Sequence, residues 1–118
     1  MMEKEEEAEL GKSLAEYENL EKQLEVLVIQ KNQLTLQIAE TKNALEELKN
    51  AKGEVYRSVG SLIIKTTKEE AEKNLKEKLE LMEVKSKAVA KEEERLREAV
   101  LKLQQALKEK MEKYEKRS

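Results

Sequence analysis

Apolar side chains recur along most of the chain at spacings that alternate between three and four residues. We call these positions the seam. In the first half it has thirteen positions, nine of them apolar: Leu10, Ser13, Tyr17, Leu20, Leu24, Leu27, Lys31, Leu34, Ile38, Thr41, Leu45, Leu48 and Lys52. After residue 67 it has twelve, nine of them apolar: Leu75, Leu79, Met82, Ser86, Val89, Glu93, Leu96, Val100, Leu103, Leu107, Lys110 and Tyr114. Such alternation over five or more heptads, with charges elsewhere, predicts a coiled coil.

Residues 54–66, between the two heptad stretches, break this rhythm. The segment is rich in β-branched residues, its first limb alternates, and Gly60-Ser61 stands at its centre. These features predict a β-hairpin with a Gly-X turn. We therefore expect a mainly α fold in one domain. Residues 1–52 would form a first coiled-coil arm, 53–66 the hairpin and 67–118 a second arm.

Local signals predict where the helices begin and end. Gly53 is placed to be the C′ residue of the first helix. Thr67 followed by Glu70 reads as a capping box that starts the second helix. A similar box, Ser13–Glu16, follows Gly11, so we expect roughly the first ten residues to be frayed rather than helical.

The two arms have similar lengths, so the first can fold back antiparallel along the second, seam against seam. The Glu-rich start of the chain would then meet its Lys-rich end. Lys31 and Glu93 are the two charged residues in the middle of the seams, and folding back would bring them within about one helical turn of each other. A polar pair in a seam most often fixes register and alignment.

Composition excludes several kinds of site. Of 118 residues, 42% are charged, with a net charge of −2, and there is no Cys, His or Pro. Thiol nucleophiles, imidazole bases and zinc sites are thus missing, and we expect neither an enzyme nor a bound cofactor or metal. Dispersed, balanced charge argues against nucleic-acid binding.

The longest apolar run, Val26–Ile29, is too short for a membrane span. The first residues do not resemble a signal peptide, so we expect a cytoplasmic protein. The abundance of Glu and Lys is typical of thermophile surfaces.

The predicted hairpin has more apolar side chains than one exposed ribbon can carry. An isolated two-stranded hairpin is marginal in water, and both of its edges would be open. We expect hairpins from several chains to pair edge to edge into a shared sheet or barrel, although the hairpin could instead fold onto the coiled-coil base. The candidate oligomerisation residues are Val55, Tyr56, Val59, Gly60, Leu62, Ile63 and Ile64.

A central Val55–Lys65 hairpin, followed by Lys68-Glu69-Glu70-Ala71 and flanked by coils of about fifty residues, resembles the beta-class subunits of the archaeal prefoldin family. The resemblance covers nearly the whole chain. It implies assembly with alpha-class subunits and other beta copies through a double β-barrel. It also implies an ATP-independent chaperone that holds unfolded proteins between coiled-coil tips and passes them to a group II chaperonin. The Glu-rich start departs from the family pattern.

The resemblance directs attention to the far ends of the arms, where client proteins would be held. Client binding needs apolar groups that water reaches. The candidates are Leu10, Leu14, Tyr17 and Leu20 on the first arm and Leu103, Leu107, Met111 and Tyr114 on the second. Most of these are also ordinary seam positions, whereas Leu14 and Met111 lie beside the seam. A second off-seam group, Val26, Val28, Ile29 and Leu36, could widen the apolar stripe or contact a neighbouring arm.

Two other functions fit the same pattern. A hairpin-linked coiled coil could serve as a structural spacer that binds no clients. Hairpins that continue edge to edge without a closing subunit could also form a filament.

Overall fold

The computed structural model describes residues 3–117, with the side chain of Arg117 excepted. The outermost positions of the two predicted arms, 1–2 and 118, lie outside these described residues. Four elements follow one another along the chain: α1 (Lys4–Asn50), β1 (Val55–Val59), β2 (Leu62–Thr66) and α2 (Lys68–Arg117). The fold is therefore mainly α, with one central hairpin as the sequence predicts. Neither helix has, among these residues, a stretch long and apolar enough to cross a membrane.

The start of α1 differs from the sequence-based expectation. We expected fraying before the Ser13–Glu16 box, but α1 is helical from Lys4 and passes through Gly11 without a break. A glycine inside a helix costs about 1 kcal/mol relative to alanine. The acidic first turn, Glu5–Glu7, favours an earlier start because carboxylates interact well with a helix N-terminus. Half-buried Leu10 extends the packed seam into this part of α1.

The described chain forms two compact units. The terminal unit holds the chain up to Gln30 and from Val89 onward, and the hairpin unit holds Lys31–Ala88. The helices lie side by side in each unit. Leu27 and Leu96 line one groove in the terminal unit, and Leu48 and Leu75 line another in the hairpin unit. Residues earlier in α1 thus lie beside residues later in α2, which is the predicted antiparallel pairing.

The predicted seam is the covered face of both helices. Apart from Lys52, which is exposed beyond the end of α1, every seam position is buried or half-buried. The most deeply buried seam residues with apolar side chains are Leu48, Met82, Leu96 and Leu107. The periodicity of the sequence therefore identifies the core of each unit, because a heptad returns the same helix face every two turns.

Two buried seam positions carry polar side chains. Thr41 satisfies its hydroxyl within its own helix, since Oγ1 donates to the carbonyl oxygen of Gln37 at 2.8 Å. Glu93 is 6% exposed, and its Oε1 accepts hydrogen bonds from Arg97 Nε at 3.0 Å and Nη2 at 2.7 Å. Such bonds offset part of the cost of burying a charge.

The hairpin has the register of a two-residue turn. Val59 pairs with Leu62, and the ladder continues through Arg57 and Ile64 to Val55 and Thr66. Gly60 has a φ of +60°, and no non-glycine residue of the described chain has a positive φ. A positive φ at the first central position alone corresponds to a type II′ turn, which suits the twist of the strands. The predicted Gly-X turn is therefore present.

Of the two helix ends beside the hairpin, the start of α2 was predicted correctly and the end of α1 was not. Thr67 caps α2 as predicted, because the backbone N–H of Glu70 donates to Thr67 Oγ1 at 3.1 Å. The C′ assignment of Gly53 was wrong, since α1 already ends at Asn50. Gly53 instead has a φ of +110° within the connection to β1. A side chain from α2 also caps α1, as Lys68 Nζ donates to the carbonyl oxygen of Lys49 at 2.9 Å.

We expect Thr67→Ala to lower the free energy of unfolding by about 1 kcal/mol, because it removes the side-chain acceptor for an N-terminal N–H of α2. Denaturant unfolding followed by circular dichroism measures the change. Thr35→Ala is the matched control, since Thr35 Oγ1 bonds only to the carbonyl oxygen of Lys31 within α1. An equal loss in both variants would contradict the capping role.

Candidate assembly and client-binding surfaces

Most apolar side chains of the hairpin are exposed. Ile63 is 75% exposed and Leu62 is 63% exposed, and Tyr56, Val59 and Ile64 are also open to solvent. Val55 alone among the predicted oligomerisation residues with side chains is half-buried. The alternative in which the hairpin folds onto the coiled-coil base would have covered these groups. Exposure of several large apolar side chains on one small element is typical of an interaction surface.

The register divides the hairpin into two faces. Directly paired residues point to the same side of a sheet, and successive residues alternate. One side, which we call the Arg57 face, carries Val55, Arg57, Val59, Leu62, Ile64 and Thr66. The other, the Tyr56 face, carries Tyr56, Ser58, Ile63 and Lys65. Both faces therefore present apolar groups, but their polar groups differ.

A small hydrogen-bond network ties the Tyr56 face to Glu54. Tyr56 Oη donates to Glu54 Oε2, and Lys65 Nζ lies 2.9 Å from Glu54 Oε1. These donors favour the ionised carboxylate, so the hydrogen bond from Tyr56 and then that from Lys65 hold the pKa of Glu54 below its usual value. The same bond to Glu54 raises the pKa of Tyr56. The network joins the start of β1 to the end of β2, and it occupies both carboxylate oxygens of Glu54.

A groove of about 880 Å³ runs beside β1 in the hairpin unit. Five consecutive residues, Glu54–Ser58, line it, together with the last turns of α1 and the first turns of α2. Consecutive strand residues point to alternate faces, so the groove borders the free edge of β1 rather than one face. No residue of β2 contributes to this lining among the described residues. The groove therefore combines an open strand edge with apolar helix residues such as Leu48, Leu75 and Leu81.

The predicted client-binding residues all lie in the terminal unit but differ in accessibility. Leu14 is 46% exposed and Met111 is 47% exposed, which makes them the most accessible of the group. Leu107 is buried, so it is the least available. The remaining candidates are half-buried: Leu10, Tyr17, Leu20, Leu103 and Tyr114. A hydrogen bond with the Glu21 carboxylate raises the pKa of Tyr17.

Leu14 and Met111 occupy equivalent heptad positions. Each directly follows a seam residue, Ser13 on α1 and Lys110 on α2. In antiparallel coiled coils such flanking positions border the apolar seam, so their side chains remain open to water while lying beside it. Both side chains belong to types that suit contacts with varied sequences, and methionine in particular is flexible and polarizable.

Three exposed apolar residues on α2 were not predicted from the sequence: Leu81, Val84 and Leu101. The signal that could have found them is a large apolar side chain at a heptad position outside the seam. On α1 the same signal did identify Val26, Ile29 and Leu36, which are exposed, whereas Val28 is half-buried.

Comparison with known proteins matches this architecture to one family. The model of that family, described as a prefoldin subunit, matches residues 12–114. The chain belongs to the prefoldin family. It is 39% identical over 92 residues to the prefoldin subunit beta of Thermococcus kodakarensis, covering 76% of this chain and 79% of that protein. The prefoldin subunit beta of Archaeoglobus fulgidus is 36% identical over 96 residues, covering 80% and 83%.

The crystal structure of the prefoldin beta subunit from Thermococcus strain KS-1 is similar in fold. Its TM-score is 0.76 at 35% identity, and the alignment covers 86% of this chain and 90% of that one. The expected resemblance to archaeal beta-class prefoldin subunits is thus confirmed.

Proposed function

We propose that this chain is a beta-type subunit of a chaperone that holds unfolded proteins without ATP. The observation that carries the proposal is the exposure of Leu14 and Met111 beside the seam of the terminal unit. When apolar segments of an unfolded protein cover such groups, the free energy falls by roughly 25 cal/mol per Å² of apolar surface buried. The proposed activity is binding rather than catalysis, in the cytoplasm, followed by transfer of the client to a group II chaperonin.

Assembly of the proposed chaperone uses the hairpin. Its exposed apolar groups and its open edges favour pairing with hairpins of other subunits into a barrel. The partners that we propose are an alpha-class prefoldin subunit and further copies of this chain. Membership of the prefoldin family supports this arrangement, and several subunits would present several pairs of client-binding ends at once. Such multivalency strengthens weak individual contacts.

The test of client holding is suppression of aggregation by the assembled complex. We expect the complex of this chain with an alpha-class subunit to suppress light scattering from a denatured, aggregating protein without nucleotide. Leu14→Ser together with Met111→Ser should raise the concentration of complex needed for half-maximal suppression at least about fivefold. Each substitution removes a large part of an apolar contact with the client.

The matched control is Leu36→Ser together with Val84→Ser. Both residues are exposed apolar side chains outside the seam and belong to the hairpin unit. We expect this control to keep normal suppression, and native mass spectrometry should give the same subunit stoichiometry for all complexes. If the wild-type complex fails to suppress scattering, the chaperone proposal is wrong, and the structural spacer becomes the better account.

A further inference from the structure

The Arg57 face carries one charged side chain, and that side chain has no carboxylate partner. Arg57 forms no ion pair with any residue between 3 and 117, whereas Lys65 on the opposite face pairs with Glu54 at 2.9 Å. Glu47 and Glu77 line the same groove as Arg57 without pairing with it. A strand added at the neighbouring edge brings apolar side chains against Arg57, and crowding an unpaired guanidinium with apolar groups is costly.

The hydrogen-bond ladder determines which backbone groups of β1 remain available. Val59 and Leu62 flank a two-residue turn and therefore form a hydrogen-bonded pair, and such pairs alternate along the ladder. The N–H and C=O groups of Tyr56 and Ser58 then point away from β2, toward the groove. By the same alternation, the outward groups of β2 belong to Ile63 and Lys65.

Antiparallel pairing between two copies brings their Arg57 faces to the same side of the sheet. In such a pairing, the backbone groups that point away from one hairpin form hydrogen bonds with those that point away from the other. Side chains of directly opposite residues then lie on the same face of the sheet. The side chains that can stand opposite Arg57 in a second copy therefore come from its Arg57 face: Val55, Arg57, Val59, Leu62, Ile64 and Thr66. None of them is acidic, and diagonal neighbours come from the same set. No antiparallel register between the hairpin strands of two copies places a carboxylate opposite Arg57.

We propose that Arg57 selects the partner strand: the β1 edge receives a strand of a different subunit that places an Asp or Glu opposite Arg57. The inference rests on the proposed hairpin assembly. A strand added to this edge bonds to Tyr56 and Ser58, which leaves Arg57 in a non-hydrogen-bonded pair, where side chains approach most closely. A carboxylate there forms charge-assisted hydrogen bonds with the guanidinium. Pairing with a second copy crowds Arg57 with uncharged side chains or with a second arginine and supplies no carboxylate.

Self-association tests the first half of the proposal. Sedimentation equilibrium compares the wild-type chain with Arg57→Leu and with Lys65→Leu, which makes the same kind of change on the opposite face. We expect Arg57→Leu to associate with itself about tenfold more tightly than Lys65→Leu. Far-UV circular dichroism confirms equal helix content. If the two variants associate equally, Arg57 does not disfavour self-pairing and the inference is overturned.

Matched peptides test the second half. Two extended peptides of alternating valine and threonine, one with a central glutamate and one with a central glutamine, are titrated against the wild-type chain and Arg57→Leu. We expect the glutamate peptide to bind the wild type about fivefold more tightly than the glutamine peptide, and the difference to vanish in Arg57→Leu. Equal binding, including no measurable binding of either, overturns the selection of a carboxylate.

Ser58→Pro separates this inference from the proposed assembly. Proline removes the outward N–H of Ser58, which takes no part in the ladder within the hairpin. If adding Ser58→Pro to the Arg57→Leu variant leaves its self-association unchanged, the proposal that assembly uses the β1 edge is itself wrong. If Ser58→Pro abolishes association while Arg57→Leu behaves like Lys65→Leu, the edge is used and only the role of Arg57 is wrong.

Discussion

Leu96→Ala should lower the free energy of unfolding by about 3 kcal/mol, within the range for truncating a buried leucine. Leu96 is 2% exposed, the most completely covered apolar side chain of the described chain. It lies in the terminal unit, where it shares a groove with Val26 and Leu27 of α1. Alanine removes the packing of Leu96 between the helices and leaves a cavity that two rigid helices fill poorly. Urea unfolding followed at 222 nm measures the loss.

Leu101→Ala is the control for this prediction. Leu101 lies on the same helix and in the same unit but is 62% exposed, and alanine is at least as good a helix former as leucine. We expect a change within about 0.5 kcal/mol. A similar loss in both variants would show that burial in the packed seam is not what makes Leu96 important for stability.

The seam was predictable because its signal is local and repeats. A seven-residue period determines which face of a helix is apolar, and burying that face is the main source of stability for an amphipathic helix. Spacing alone therefore located deeply covered residues such as Met82 and Leu107 together with the polar exceptions Thr41 and Glu93. Lys52 was assigned to the seam wrongly because the heptad continues in sequence beyond the point where α1 ends.

Helix ends were less predictable because several weak signals compete there. The box at Ser13–Glu16 is a sound N-terminal signature, yet it lies inside α1. Extending a helix that is already nucleated adds one hydrogen bond per residue, and this gain outweighs one glycine and one unused box. The N-cap at Thr67 was located correctly because no preceding helix competes with it, as β2 ends at Thr66.

The candidate assembly surface on the hairpin was predictable in composition but not in arrangement. The sequence predicts more apolar residues than a marginal hairpin can carry alone, and the structure leaves most of them exposed. Which residues share a face depends on register, and register depends on the two-residue turn at Gly60. The isolation of Arg57 and the capture of Glu54 by Tyr56 and Lys65 follow from that register, so the residue types alone could not reveal them. The exposure of Leu81 depends on its helix face, and it was missed because the only off-seam position considered on α2 was Met111 near the end of the arm.

Ile63→Ser together with Ile64→Ser should weaken assembly at least about 100-fold while leaving the folded chain almost as stable as before. The two residues lie on opposite faces of β2, and both are exposed in the single chain. Serine therefore removes little packing within the chain. In the proposed barrel each isoleucine would be covered, and burial of such a side chain contributes roughly 1.5–3 kcal/mol. Two such losses per subunit correspond to at least about 100-fold in affinity.

The two readouts of this variant separate assembly from folding. Native mass spectrometry with an alpha-class subunit reports assembly, and thermal unfolding of the isolated chain reports the stability of the helices. Val84→Ser together with Leu101→Ser supplies the control, with two equally drastic exposed changes on α2 outside the groove beside β1. If the hairpin variant assembles normally, the exposed apolar groups of β2 are not the contact between subunits. If it instead fails to fold, the hairpin is packed within the chain, as in the alternative where it covers the coiled-coil base.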